Sequence, residues 1–197
     1  MKKILITGIV LTSLLLTGCS SVTDNTFEEE TIVSIDKEVS YNDELTTDDL
    51  KDDEESYGST GALENQEFTI EEMLIYAIQD EFTAKAEYTY IVDNFDVTKP
   101  FTNIIPSEET HISLLLPMFE AYQIVVPEDT SSTHLITITS LDEAFATGVL
   151  AEELNIAMYD LFLSQDDLPD DIVDVFTKLR DASLNHLAAF QKNLDQY

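Results

Sequence analysis

The sequence predicts an all-α fold, a bundle of four helices built as two antiparallel hairpins joined by a long crossover. Three observations carry this expectation. Apolar residues recur at helical spacing through successive stretches between residues 70 and 193. Two of those stretches open on a capping box, Thr69-Ile70-Glu71-Glu72 and Ser140-Leu141-Asp142-Glu143. The connections between the stretches run short, long, short.

The first helix follows its capping box with Leu74, Ile75, Ile78, Phe82, Tyr88 and Val92 on a helical period, to about residue 94. A break at 96–100, ending in Pro100, leads to a second helix over about residues 100–123. Pro106 and Pro117 fall inside it; each lacks a backbone donor and is expected to kink the helix, unless Pro106 marks a late start. An extended polar stretch over 125–139 follows, with Pro127 and Ser131-Ser132-Thr133. The second capping box starts the third helix, which runs to about residue 164, and Asp167-Leu168-Pro169 signals the start of a fourth, ending near 193. Short breaks make each pair an antiparallel hairpin. The middle connection, about 16 residues, spans about 50 Å when extended, whereas a twenty-residue helix is about 30 Å long. It can therefore cross the whole bundle, which a plain up-down-up-down arrangement does not require. Two hairpins joined in this way form the ferritin-like four-helix bundle.

The chain carries 40 Asp and Glu against 9 Lys and Arg, a net charge of −31. Nucleic acid is thereby excluded as a partner, because phosphate affinity comes from Lys and Arg, and electrostatic attraction to an anionic membrane surface is disfavoured. One cysteine excludes an internal disulfide framework and a thiolate zinc site. At the N-terminus, Met1-Lys2-Lys3 precedes an apolar run over 4–16, too short to span a bilayer and of signal-peptide length. Leu16-Thr17-Gly18-Cys19 resembles the lipobox of bacterial lipoproteins. The resemblance implies that Cys19 is lipid-modified and becomes the new N-terminus, so the membrane partner is reached through an anchor on the extracytoplasmic face. Residues 20–66 are acidic and poor in apolar groups, with Glu28-Glu29-Glu30 and Asp52-Asp53-Glu54-Glu55, and read as a disordered, self-repelling linker. The expected organisation is a signal peptide over 1–19, the linker over 20–66 and the helical domain over 67–197, for which a homodimer is an allowed state.

Ferritin-like di-metal sites take one Glu from each of two helices and Glu-x-x-His from the other two, because residues three apart share a helix face. The second helix offers Glu108-Glu109-Thr110-His111. On the first, Glu81 falls in line with Leu74, Ile78 and Tyr88, and an acid in a core stripe is costly without a partner. On the third, Glu152 follows the stripe of Phe145, Val149, Ile156 and Tyr159, and Glu153 lies about 100° round, toward Leu150, Leu154 and Leu161. Either acid is a candidate. Glu81 with Tyr88 and Glu152 with Tyr159 repeat a seven-residue interval, which favours Glu152 and makes the tyrosines candidate hydrogen-bond partners. The fourth helix offers His186 beside Leu179, Leu187 and Phe190. The candidate metal ligands are thus Glu81, Glu108, His111, Glu152, Glu153 and His186; oxygen with imidazole nitrogen suits iron or manganese. Glu87, Glu109 and Asp170-Asp171 read as solvated-face or helix-start charges, and His134 as an exposed loop residue.

Glu81-x-x-Ala84-x-x-x-Tyr88 followed by Glu108-x-x-His111 resembles the first hairpin of rubrerythrin-type ferritin-like proteins. The wider string, with Phe101-Thr102-Asn103-Ile104, Ser107-Glu108, Glu152-Glu153-Leu154 and Asn185-His186-Leu187, is similar to an uncharacterised bacterial and archaeal domain-of-unknown-function family in that superfamily. The resemblance spans about residues 68–195. It implies the bundle and di-iron binding, and no established activity; the reading favoured from the residues is an anchored domain that binds iron or manganese and handles peroxide or oxygen. One position departs from the pattern: Ser183 stands where a Glu three residues before His186 is expected. That departure favours an alternative, a non-enzymatic metal-capture or interaction lipoprotein with a degenerate centre. No cysteine pattern for a rubredoxin-like electron-transfer domain is present.

Overall fold

A computed structural model describes residues 57–194. The expected signal peptide, Cys19 and the linker as far as residue 56 lie outside the described residues. Five α-helices are described: α1 (Gly58–Ala62), α2 (Ile70–Asn94), α3 (Phe101–Ala121), α4 (Leu141–Leu163) and α5 (Asp170–Leu194). A 3-10 turn at Ser131–Thr133 interrupts the connection between α3 and α4, and no strand occurs among the described residues.

Local chemistry sets the helix ends. At Thr69 the capping box is complete: Glu72 N–H donates to Thr69 Oγ1 at 3.2 Å and Thr69 N–H donates to the Glu72 carboxylate at 2.7 Å. At Ser140 it is shifted by one residue, because the Glu143 carboxylate accepts from Thr139 N–H at 2.8 Å while Ser140 Oγ caps Glu143 N–H. Helix α3 continues through Pro106 and Pro117, both on its exposed side.

Side-chain contacts give the helix directions. Glu81 and Tyr88 of α2 meet Tyr159 and Glu152 of α4 respectively, so these helices are antiparallel. Ser107 and Tyr122 of α3 meet His186 and Asp171 of α5, again antiparallel. Helix α2 packs along α3 and α4 along α5. Helices α3 and α4 are therefore parallel and lie on a diagonal, and the segment between them travels the length of the bundle. That route is what the long connection is for: a tight turn cannot join two parallel helices.

Two apolar clusters fill the interior. One gathers Leu74, Ile78, Leu115, Phe119, Phe162, Phe176 and Leu179. The other gathers Ile91, Phe101, Ile104, Phe145 and Phe190. Between them lie the buried polar groups Glu81, Glu108, His111, Glu152, Asn155, Ser183 and His186. Gly148 lets α4 and α5 approach closely, since a Cβ there would stand 2.8 Å from the Phe190 ring.

The linker expected through residue 66 ends sooner. Residues 57–66 are ordered, with α1 packed on α2 and α4. Ala62 is fully buried in the first apolar cluster, and the α1 backbone reaches α2: Gly58 N–H donates to Gln79 Oε1 at 3.2 Å and Ser59 N–H to Asp80 Oδ1 at 2.8 Å. Gly58 has φ +55°, and a Cβ on it would lie 2.9 Å from Asp80 Oδ1. Composition marked this segment as polar, but one buried alanine and two backbone N–H groups dock it.

Candidate metal centre

Four helices each deliver part of the polar layer. Glu81 comes from α2, Glu108 and His111 from α3, Glu152 from α4 and His186 from α5, all at most 8% exposed. Glu108 and His111 share a face of α3 by their three-residue spacing. The ligand atoms form two groups, Glu81–Glu108–His111 and Glu108–Glu152–His186, each with its atoms within 4.8 Å of one another. Glu108 belongs to both. Its Oε2 lies 2.8 Å from His111 Nδ1 and its Oε1 lies 3.1 Å from His186 Nδ1. His111 Nδ1 also meets Glu81 Oε2 at 2.9 Å, and His186 Nδ1 lies 3.5 Å from Glu152 Oε1. The two imidazoles stack at 5.5 Å between centroids.

A layer of partners orients these groups. Tyr159 OH donates to Glu81 Oε1 and Tyr88 OH to Glu152 Oε1, both at 2.7 Å, so each tyrosine serves the carboxylate of the opposite helix. The repeated Glu-to-Tyr interval thus becomes a crossed pair in antiparallel helices. Asn155 donates from Nδ2 to Asp80 at 2.8 Å and to Glu81 at 3.3 Å. Ser107 Oγ lies 3.2 Å from His111 Nε2 and 3.1 Å from His186 Nε2. With Nε2–H of each ring donating to that oxygen, both rings keep Nδ1 for the carboxylate side.

The protonation pattern follows from burial and pairing. Burial depresses both imidazoles, but the facing carboxylates outweigh it, raising His111 to about 10 and His186 to about 9. Burial also opposes ionisation of Glu108, yet the two imidazoles bring it down to about 2. Burial pushes Glu81 up to about 7, against its His111 contact, and raises Glu152, with the Glu108 charge adding to the effect. The metal-free cluster is thus held by protons where cations would fit.

The two buried Glu/His groups could hold metal. Glu108 Oε1 and His186 Nδ1 are buried without a hydrogen-bond partner despite their 3.1 Å approach, as expected of atoms aimed at a common third point. Three carboxylates and two neutral imidazoles supply oxygen and nitrogen donors with negative charge to offset a bound cation.

Of the sequence-predicted ligands, Glu153 does not join the others. It is exposed, because the turn of about 100° from Glu152 carries it past the edge of the packed face. Glu87 also departs from expectation: it is 6% exposed, and burial first and the Asp80 charge second push it up to about 7. Glu109 is exposed and pairs with Lys85 at 3.1 Å, and His134 is exposed with its ring stacked 3.8 Å from Tyr57. Ser183 is buried at the position lacking its carboxylate, and Asp181 points outward to Arg180. Sequence reasoning missed Ser107, Asn155 and Asp80. Ser107 stands four residues before His111 and Asn155 three after Glu152, so same-face spacing was an available signal for both.

Fold and site together define a four-helix bundle with a buried carboxylate–histidine cluster able to hold metal. The chain belongs to the uncharacterized protein domain family DUF2202, which matches residues 70–197. It is similar to the uncharacterized protein MJ0754 of Methanocaldococcus jannaschii, 26% identical over 141 residues, covering 64% of this chain and 75% of that protein. No solved structure matches. Among the described residues no helix is long and apolar enough to cross a membrane.

Proposed function

We propose that this chain is an extracytoplasmic, lipid-anchored ferritin-like protein whose bundle binds two iron or manganese ions for peroxide- or oxygen-handling redox chemistry. The observation that carries the reading is Glu108, a single carboxylate shared by two Glu/His groups contributed by all four helices of the bundle. Glu81 and His111 would hold one ion, Glu152 and His186 the other, with Glu108 common to both. The bound metals would supply one-electron redox capacity. The chain's own residues do the rest: Ser107 fixes the ring tautomers, and Tyr88 and Tyr159 hold protons against the outer carboxylates. The apolar clusters close the polar layer above and below along the bundle axis.

Anchoring rests on the lipobox-like Leu16-Thr17-Gly18-Cys19. A second reading, metal capture or interaction without catalysis, is favoured by Ser183, buried where a fourth carboxylate is expected. Elemental analysis of protein expressed without its first nineteen residues decides between them. Two equivalents of metal per chain, with turnover of peroxide or oxygen, support the redox protein. One equivalent without turnover supports capture. No bound metal in wild type, or loading equal in wild type, His186→Ala and Glu109→Ala, would refute the site, since binding would then be to the diffuse acidic surface.

A further inference from the structure

Beside the polar layer, a cavity of about 490 Å³ opens between α1, α2, the 3-10 turn and α4, and its inner wall reaches Glu108, Tyr88 and Glu152. Its size is that of a small-molecule site and far exceeds what one metal ion needs. The wall is rich in acceptors, with the buried Tyr57 hydroxyl as a neutral donor among them. Glu87 lines it, 6% exposed and with no hydrogen bond or ion pair to any other described residue. Asn155 lines it, 4% exposed, with its Oδ1 buried and unpaired. Asp80 adds a third acceptor group. The hydroxyl hydrogens of Thr60, Thr83 and Thr133 are already donated to backbone carbonyls. No lysine or arginine lines the space. Helix α4 also presents Leu150 and Leu154 of its second apolar stripe to the cavity; Leu150 is 54% exposed.

We propose that this cavity binds a small aliphatic amine as its ammonium, with the N–H donors on Glu87 and Asn155 Oδ1 and the alkyl part on Leu150 and Leu154. A buried carboxylate without a partner is costly, and burial already raises Glu87 to about 7, so an incoming cation stabilises the wall as well as itself. An anion meets the Glu87 and Asp80 carboxyl groups and no lysine or arginine. A neutral alcohol has one donor for two groups. That the amine then lies next to reacting metal rests on the proposed function; binding in the cavity does not.

The test is calorimetric titration of the full chain, kept metal-free by chelator, with n-butylammonium, n-butanol and n-butyrate. One saturable site is expected for the amine, about tenfold or more tighter than butanol, with no binding of butyrate. Glu87→Gln keeps the shape and should weaken the amine about tenfold. Leu150→Arg places a guanidinium at the exposed rim and should abolish binding, while Glu109→Gln, on the far exposed face, should leave it unchanged. Butanol binding as tightly as the amine, non-saturable uptake, or an undiminished affinity in folded Glu87→Gln and Leu150→Arg would overturn the assignment. Manganese loading is measured on the same preparation. Absence of saturable amine binding sinks the pocket whatever the metal count, and a zero metal count with amine binding intact sinks only the metal reading.

Discussion

Replacing Glu108 by Gln removes one charge and almost no volume from the residue shared by both halves of the cluster. In the metal-free protein its carboxylate faces His111 at 2.8 Å and His186 at 3.1 Å, 2% exposed. Removing one partner from a buried ionic group costs about 3–5 kcal/mol, and the rings can shed their protons, which holds the loss toward the lower figure. At about 3 °C per kcal/mol for a domain of this size, the midpoint should fall about 10 °C. Metal adds a second, separable effect. At a hundred times Kd, wild type gains ~2.7 kcal/mol, or about 8 °C, whereas the variant should gain almost nothing because both ion positions lose their common ligand. Thermal melts followed by circular dichroism at pH 7, in chelator and in Mn(II), measure both. A metal-free midpoint within about 2 °C of wild type would refute Glu108 as the partner of both imidazoles. A full manganese gain in the variant would refute its role as shared ligand.

Three further outcomes are expected. His111 and His186 have folded pKa values raised to about 10 and 9 above the usual 6.5, so their stabilisation is full below pH 6.5 and is lost as pH rises through 9–10; metal-free melts from pH 6.5 to 10 should show a falling midpoint, and a flat profile would contradict the proton-held cluster. Gly148→Ala brings a Cβ to 2.8 Å from the Phe190 ring, which Tyr88 and Phe101 hold at 5.1 and 5.0 Å, so overpacking should exceed the gain in helix propensity and leave a loss of about 1 kcal/mol. Phe190→Leu should relieve that loss in a double-mutant cycle, and additive effects would show that the contact is not the cause. Cys19→Ser should move the protein from the membrane to the soluble fraction, as judged by fractionation and blotting, and wild-type membrane retention would rule out the lipid anchor.

The helices were legible because their signals are local. Thr69 with Glu72 and Ser140 with Glu143 mark starts, and the stripes through Leu74–Ile78 and Phe145–Tyr159 mark buried faces. The same stripes exposed Glu81, Glu152 and His186 as polar residues facing inward, and three-residue spacing paired Glu108 with His111. Glu153 shows the limit of that reasoning. Helical periodicity gives the angle of a side chain about its own axis, and Glu152 and Glu153 both have apolar neighbours on that wheel. Only the position of α2 and α5 decides which of the two is covered.

Sequence by itself determined four amphipathic helices, the length of the crossover and five of the six nominated ligands that the fold brings together, because caps, periodicity and connection length act within one segment of chain. Tertiary structure decided that Glu108 is shared, that Tyr88 and Tyr159 exchange partners, and that Ser107 serves both imidazoles. It also decided that α1 docks on Asp80 and that Glu87 is buried beside a cavity. Each of these depends on which surface of a second element arrives opposite, and that follows from long-range packing energy, which no local pattern in a single helix encodes.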